Sequence, residues 1–153
     1  MDKVRIERTL KRIAYQILEH CYQEKEITLI GIEPRGVWVS DQLTQWIKEI
    51  SPMKVAQLKF NSERPEDVES MDAMIKGRCV ILVDDVIKSG LTMMQAASAI
   101  TAHQPRYLIT ASLVDRKHRR FPIQCDFTGL SLATTIQEHI QLVIEPNPVI
   151  YLE

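Results

Sequence analysis

The chain has little cysteine. Cys21, Cys79 and Cys125 are odd in number, far apart in sequence and make no Cys-x-x-Cys pair. That excludes a disulfide framework and a thiolate zinc site, and the three read as small apolar residues in a reducing cytosol. An excess of charge is also missing, with 19 Lys and Arg set against 20 Asp and Glu for a formal net charge of −1. No global field therefore draws the chain to nucleic acid or to an anionic membrane, and any such affinity has to be local. No apolar run approaches membrane length, and the charged start from Asp2 is unlike a signal peptide, so a cytoplasmic protein without membrane contact is expected. Internal repeats and low-complexity tracts are absent. Its 153 residues, 45% hydrophobic and 25% charged, suit one globular domain over 1–153 with a sizeable core.

Against that plain background one stretch stands out, Val80-Ile81-Leu82-Val83-Asp84-Asp85-Val86-Ile87-Lys88-Ser89-Gly90-Leu91-Thr92. Four β-favouring apolar residues without polar alternation suit a strand buried on both faces of a parallel sheet. The run stops at two carboxylates, then a small-residue turn leads into an Ala- and Met-rich helix. Amides of such a turn and the positive end of the helix attract a phosphate. The hydroxyls of Ser89 and Thr92 add donors, and Gly90 permits close backbone approach. Asp84 and Asp85 are acceptors for vicinal hydroxyls of a sugar. Phosphate and diol together describe a ribose 5-phosphate. The bland alternative is a buried strand whose acidic turn merely caps the next helix; the full thirteen-residue pattern favours the ligand site. No Gly-x-x-x-x-Gly-Lys-[Ser/Thr] occurs, so it is not a nucleotide P-loop.

Taken in order, Val4 to Cys21 carries Leu10, Ile13, Ala14, Ile17, Leu18 and Cys21 at helical spacing, opposite a charged face with Arg8, Lys11 and Arg12. Ile27 to Ile32 is a strand that runs into the turn Gly31-Ile32-Glu33-Pro34-Arg35-Gly36, and Val37 to Ile50 follows as a helix. Lys54 to Phe60 is a second strand. Asn61 to Asp72, polar and with Arg64-Pro65 at its middle, reads as a mobile loop, and Met71 to Lys76 as a helical turn. Beyond the acidic stretch, Leu91 to His103 is a helix and Tyr107 to Val114 a buried strand. Ile140 to Ile144 and Val149 to Leu152 are short closing strands. Strands alternating with helices predict a doubly wound, mainly parallel α/β sheet.

The stretch from Val80 to Thr92 resembles the phosphoribosyl pyrophosphate (PRPP) signature of the type I phosphoribosyltransferases. The resemblance implies that family's fold, with flanking helices and a small hood. It implies that Asp84 and Asp85 are catalytic, holding the ribose hydroxyls directly or through Mg²⁺, and that Lys88, Ser89, Gly90, Leu91 and Thr92 bind the 5-phosphate. Glu33, Pro34, Arg35 and Gly36 fall at the family's pyrophosphate loop. There a guanidinium beside exposed amides suits a diphosphate, which makes Arg35 the third catalytic candidate. Glu33 stands where the family carries Lys, an arrangement that calls for Mg²⁺ between the acid and the diphosphate. The flexible loop is short here, and Arg64, with Lys59, supplies its positive charge.

The tail narrows the resemblance. Leu113-Val114-Asp115-Arg116-x-His118-Arg119-x-x-Pro122-Ile123, followed by Asp126-Phe127-x-Gly129, is similar to the pyrimidine-operon attenuator proteins (PyrR), which double as uracil phosphoribosyltransferases. That implies transfer of phosphoribose from PRPP to uracil, giving UMP and pyrophosphate, by a homodimer or larger assembly. Purine-using relatives carry an acid at the position of Lys88, so Lys88 argues for a pyrimidine. Backbone groups around Asp115 and Ile123 are the base-site candidates. The alternative is an RNA-binding regulator with weak or no catalysis, motivated by Glu33, Lys88 and the short loop. Arg12, His118 and Arg119 fall on the family's RNA surface, or equally in a subunit interface. Gln124, Leu130 and Tyr15 stand where Arg, Lys and His are expected, which weighs against RNA.

Overall fold

The computed structural model describes residues 1–133 and 139–152. Five strands, β1 (Glu26–Ile32), β2 (Lys54–Phe60), β3 (Cys79–Ile87), β4 (Tyr107–Asp115) and β5 (Phe127–Ser131), pair in parallel in the order β2-β1-β3-β4-β5. Helices α1 (Lys3–His20) and α2 (Arg35–Ile50) cover one face. A 3-10 segment at Pro65–Met71, α3 (Asp72–Ile75) and α4 (Leu91–Thr101) cover the other. A separate antiparallel hairpin, β6 (Ile140–Val143) with β7 (Val149–Leu152), forms the hood.

Side-chain alternation in the central strands explains the two layers. Ile27, Leu29, Ile81 and Val83 enter the core under α1 and α2, whereas Ile30, Ile32, Val80 and Leu82 enter the core under α4. Helix α1 is capped by Asp2, whose carboxylate accepts the Arg5 N–H at 2.9 Å. It turns Ile6, Leu10, Ile13, Ala14 and Ile17 inward at spacings of three and four. Each large aliphatic side chain buried this way contributes about 1.5–3 kcal/mol. Where α1 ends and β3 begins, Cys21 and Cys79 come together with their sulfurs 3.3 Å apart, both as free thiols. The hydrogen bond to Cys21 and burial push the Cys79 thiol up from its ordinary value, which keeps it protonated.

Several elements differ from the sequence-based expectation. The stretch 61–72, expected as a mobile loop, contains the 3-10 segment and is part of the crossover from β2 to β3. Its Val68, with Met71 and Ile75, forms an apolar stripe packed under the sheet, a pattern hidden among charges. Strand β3 does not stop at Asp84 and Asp85 but continues to Ile87, because β4 extends alongside and pairs Val86 with Val114 and Ile87 with Asp115. Helix α2 starts at Arg35, so Arg35 and Gly36 belong to its first turn and not to the loop before it. Strand β5 has no counterpart in the sequence reading.

Chain direction around the sheet creates the useful geometry. The connection from β1 goes to β2 on one side, and that from β3 goes to β4 on the other. The carboxyl ends of β1 and β3 are therefore neighbours from which the chain departs in opposite senses, and a crevice opens between them.

Candidate active site

That crevice is a cleft of about 530 Å³. Ile32, Glu33, Pro34 and Arg35 line it from the end of β1, residues 84–93 from β3 and the start of α4, and His139, Ile140 and Gln141 from the hood. The last paired residues before the strands diverge are Gly31 and Val83. Gly36 brings α2 hard against β3: a Cβ there would lie 2.7 Å from the Val83 carbonyl oxygen and 3.1 Å from Asp84 Cα. Only a hydrogen at this position lets Arg35 and Asp84 share one pocket.

Asp84 accepts the Asp85 N–H on its own Oδ1 at 2.9 Å. Burial, and next the neighbouring Asp85 charge, hold the Asp84 carboxyl well above the usual carboxylate range, while Lys88 pulls the other way. A carboxylate in this position lacks compensation, which the hydroxyls of a sugar would supply as donors and a cation as charge. The pair fits Mg²⁺ in one manner only. Among the described residues no group of three or more His, Cys, Asp or Glu gathers around a common point, so the protein offers no cage. Mg²⁺ keeps several waters and substrate oxygens and needs only one or two carboxylates, which Asp84 and Asp85 provide.

Beyond Ile87 the chain turns. Ser89 Oγ accepts the Leu91 N–H at 3.2 Å, and Gly90 has φ +87°, a conformation that glycine adopts without steric cost. Helix α4 begins at Leu91, and the Gly90 carbonyl accepts from Met94 at 2.9 Å. The first turn of any helix leaves N–H groups without intrahelical acceptors, and here that turn borders the cleft. Gly90 also answers a need unforeseen in the sequence. A Cβ on it would sit 2.8 Å from Ile123 Cγ2 and 3.1 Å from Arg119 Cδ, so it is hemmed in by the protein's own 119–123 segment.

The structure brings Glu33, Pro34, Arg35, Asp84, Asp85, Lys88, Ser89, Gly90, Leu91 and Thr92 to one cleft. It leaves the other candidates off that lining. Arg64 is exposed and ion-paired with Asp67 at 3.7 Å, beside a second recess that Glu33, Pro34, Lys59 and Asn61 help to line. Asp115 is buried, and its carboxylate is occupied by Arg119 at 2.9 Å and by the Lys117 N–H at 2.8 Å. Ile123 is half-buried and packs against the core under α4. Arg12 donates to the Thr128 and Gly129 carbonyls at 3.3 and 2.7 Å, tying α1 to β5. His118 is exposed. His139 and Gln141, which border the cleft, escaped the sequence reading because nothing in their local pattern points across the fold to β3.

A phosphoribosyl transferase domain model matches residues 2–145. The bifunctional protein PyrR of Enterococcus faecalis is 34% identical over an alignment covering 95% of this chain and 88% of that protein. The namesake from Pediococcus pentosaceus is 32% identical, covering 100% of this chain and 97% of that one. Among solved structures, the HGPRT-ase of Leishmania tarentolae in complex with GMP superposes with a TM-score of 0.76 at 14% identity, covering 86% of this chain and 79% of that one. A hypoxanthine-guanine phosphoribosyltransferase from Bacillus anthracis gives a TM-score of 0.73 at 23% identity, covering 86% of this chain and 80% of that one. At those identities the two structures speak to the fold alone.

Proposed function

This chain belongs to the phosphoribosyltransferase family, and on that premise we propose that it transfers the phosphoribosyl group of PRPP to uracil, giving UMP and pyrophosphate. The observation that carries the reading is the convergence, in one cleft at the strand-order reversal, of the Asp84–Asp85 pair within β3 and a glycine turn opening a helix. In this reading the turn takes the phosphate and the carboxylates take the diol of one sugar.

The reaction breaks the bond from C1 of the ribose to the diphosphate, which leaves with the electron pair. A bond forms from a ring nitrogen of the base to C1, and the proton of that nitrogen passes by way of solvent water to the released diphosphate. Positive charge gathers on the ribose ring in between. Residues 88–92 hold the 5-phosphate through turn amides, the Ser89 and Thr92 hydroxyls and the N-terminal end of α4. Asp84 and Asp85 orient the ribose hydroxyls and place negative charge near the ring as it becomes cationic. Arg35, in the first turn of α2, faces the departing diphosphate. Mg²⁺, when bound beside Asp84 and Asp85, neutralises diphosphate charge. Because the chain supplies position and charge and forms no covalent intermediate, the accuracy of this constellation sets the rate.

The second reading is an RNA-binding regulator with weak or no catalysis. Exposed Lys117, His118 and Arg120 support it. The engagement of Arg12 and Arg119 within the chain, and the uncharged Gln124, Leu130 and Tyr15, count against it. No helix among the described residues is long and apolar enough to cross a membrane; the cytoplasmic setting is part of the proposal. A homodimer is the assembly we propose, and sedimentation reads it directly.

The experiment supplies PRPP, Mg²⁺ and each nucleobase in turn and measures pyrophosphate release. Release with uracil above all other bases is expected. Release with a purine instead overturns the choice of base, and silence with every base overturns catalysis.

A further inference from the structure

Arg119 makes more contacts inside the protein than any reading of it as a surface cation allows. Its Nη1 pairs with Asp115 at 2.9 Å and donates to the Lys88 carbonyl at 3.1 Å. Its Nε donates to the Ile123 carbonyl at 3.0 Å. The side chain is only 19% exposed, and that of Asp115 only 12%. Lys88 is the residue at which the proposed phosphate turn leaves β3. Around this guanidinium the main chain is laced as well. Arg116 N donates to the Ile87 carbonyl at 3.0 Å, and the N–H groups of Arg120 and Phe121 share the Ser89 carbonyl at 2.9 and 3.2 Å. Gly90 lies so close to Arg119 and Ile123 that a Cβ has no room. The turn at 88–90 thus rests on a shelf made by 116–123, and the Arg119 side chain is bonded to both.

We propose that Arg119 is a positioning residue for the phosphate turn, fixing its carbonyls through the Asp115–Arg119 pair so that its amides meet the 5-phosphate of the substrate. The inference rests on the proposed phosphoribosyl site. Planarity and a fork of donors are what the task needs. One guanidinium bonds a carboxylate and two carbonyls at once, whereas a lysine ammonium, a point charge on a flexible stem, keeps the attraction to Asp115 without the fork. Two bonds to backbone carbonyls would then go unmade by a charged donor. Arg119 itself need not touch the substrate, so its loss should appear in the binding of the phosphorylated sugar more than in the bond-making step.

The test compares wild type with Arg119→Lys and Arg119→Gln. Amide hydrogen exchange, read without any ligand, should show faster exchange confined to residues 88–92 and 116–123 in both variants, with β1 and α1 unchanged. Kinetics with PRPP and uracil should show KM for PRPP raised about ten- to a hundredfold, the size of a lost hydrogen bond to a charged group, with kcat changed less than KM. Millimolar guanidinium added to Arg119→Gln should restore part of the lost affinity, which a merely structural defect would not permit. If Arg119→Gln fails to fold, Arg119→Lys carries the test by itself. Unchanged exchange at 88–92 in a folded Arg119→Lys overturns the proposal whatever the kinetics show. A wild type that takes up no PRPP sinks the proposed function instead, and the exchange measurement still decides the role of Arg119.

Discussion

Replacing Gly36 with alanine tests how tightly the two halves of the cleft are locked together. The added Cβ would lie 2.7 Å from the Val83 carbonyl oxygen, 3.1 Å from Asp84 Cα and 3.2 Å from Asp84 Oδ1. Ordinary contact needs about 3.5 Å, so α2 must retreat from β3 by roughly half an ångström or more. Overpacking of this kind costs about 1–3 kcal/mol, and the better helix propensity of alanine offsets up to ~1 kcal/mol. A net loss of about 1–2 kcal/mol lowers Tm by roughly 2–8 °C in a chain of this size. The larger effect should fall on function. Arg35 precedes Gly36 directly and moves with it away from Asp84, and a displacement of ~1 Å in a positioning element can cost on the order of a hundredfold in rate. Gly77→Ala is the matched control. Gly77 has φ +68° and nothing within 4 Å of an added Cβ, so alanine there meets backbone strain of about 1–2 kcal/mol and no neighbour. Thermal unfolding and pyrophosphate release on both variants separate the two costs. Similar losses of Tm with activity lost only in Gly36→Ala are expected. Equal losses of activity, or full activity in Gly36→Ala, would refute the claim that this close approach sets the site.

Asp84→Asn should stabilise the ligand-free protein at neutral pH while weakening PRPP uptake. Burial and the Asp85 charge raise the folded-state pKa, so wild type loses stability as pH rises from the unfolded carboxylate value, about 3.9, through the raised folded value. Asparagine keeps an oxygen for the Asp85 N–H and removes that penalty. The variant's Tm advantage should therefore be present at pH 7 and shrink toward pH 4, and an advantage independent of pH would contradict the assignment. For the RNA reading, titration against structured RNA at two salt concentrations should show weak binding that falls with salt; tight binding indifferent to salt would exclude a phosphate-driven surface.

The stretch Val80 to Thr92 was legible because each of its positions answers a local demand. Apolar residues without alternation mean a strand covered on both faces, and small residues with a glycine mean a turn, which is what β3 and Gly90 form. The periodicity of α1 was equally local, being a matter of which face of one helix meets the core. What the sequence could not disclose depends on partners distant along the chain. Asp84 and Asp85 lie within β3, not after it, because β4 runs beside them. Residues 65–75 are held as a crossover because Val68 and Ile75 find the underside of the sheet. Arg119 looks like a surface cation when read among its basic neighbours. Only the folding of 116–123 beneath the turn at 88–90, with Asp115 at the end of β4 to meet it, makes its guanidinium an internal tie. Local chemistry is written residue by residue, whereas who stands opposite whom is decided by strand order and register. Those are settled by burying the whole sheet at once.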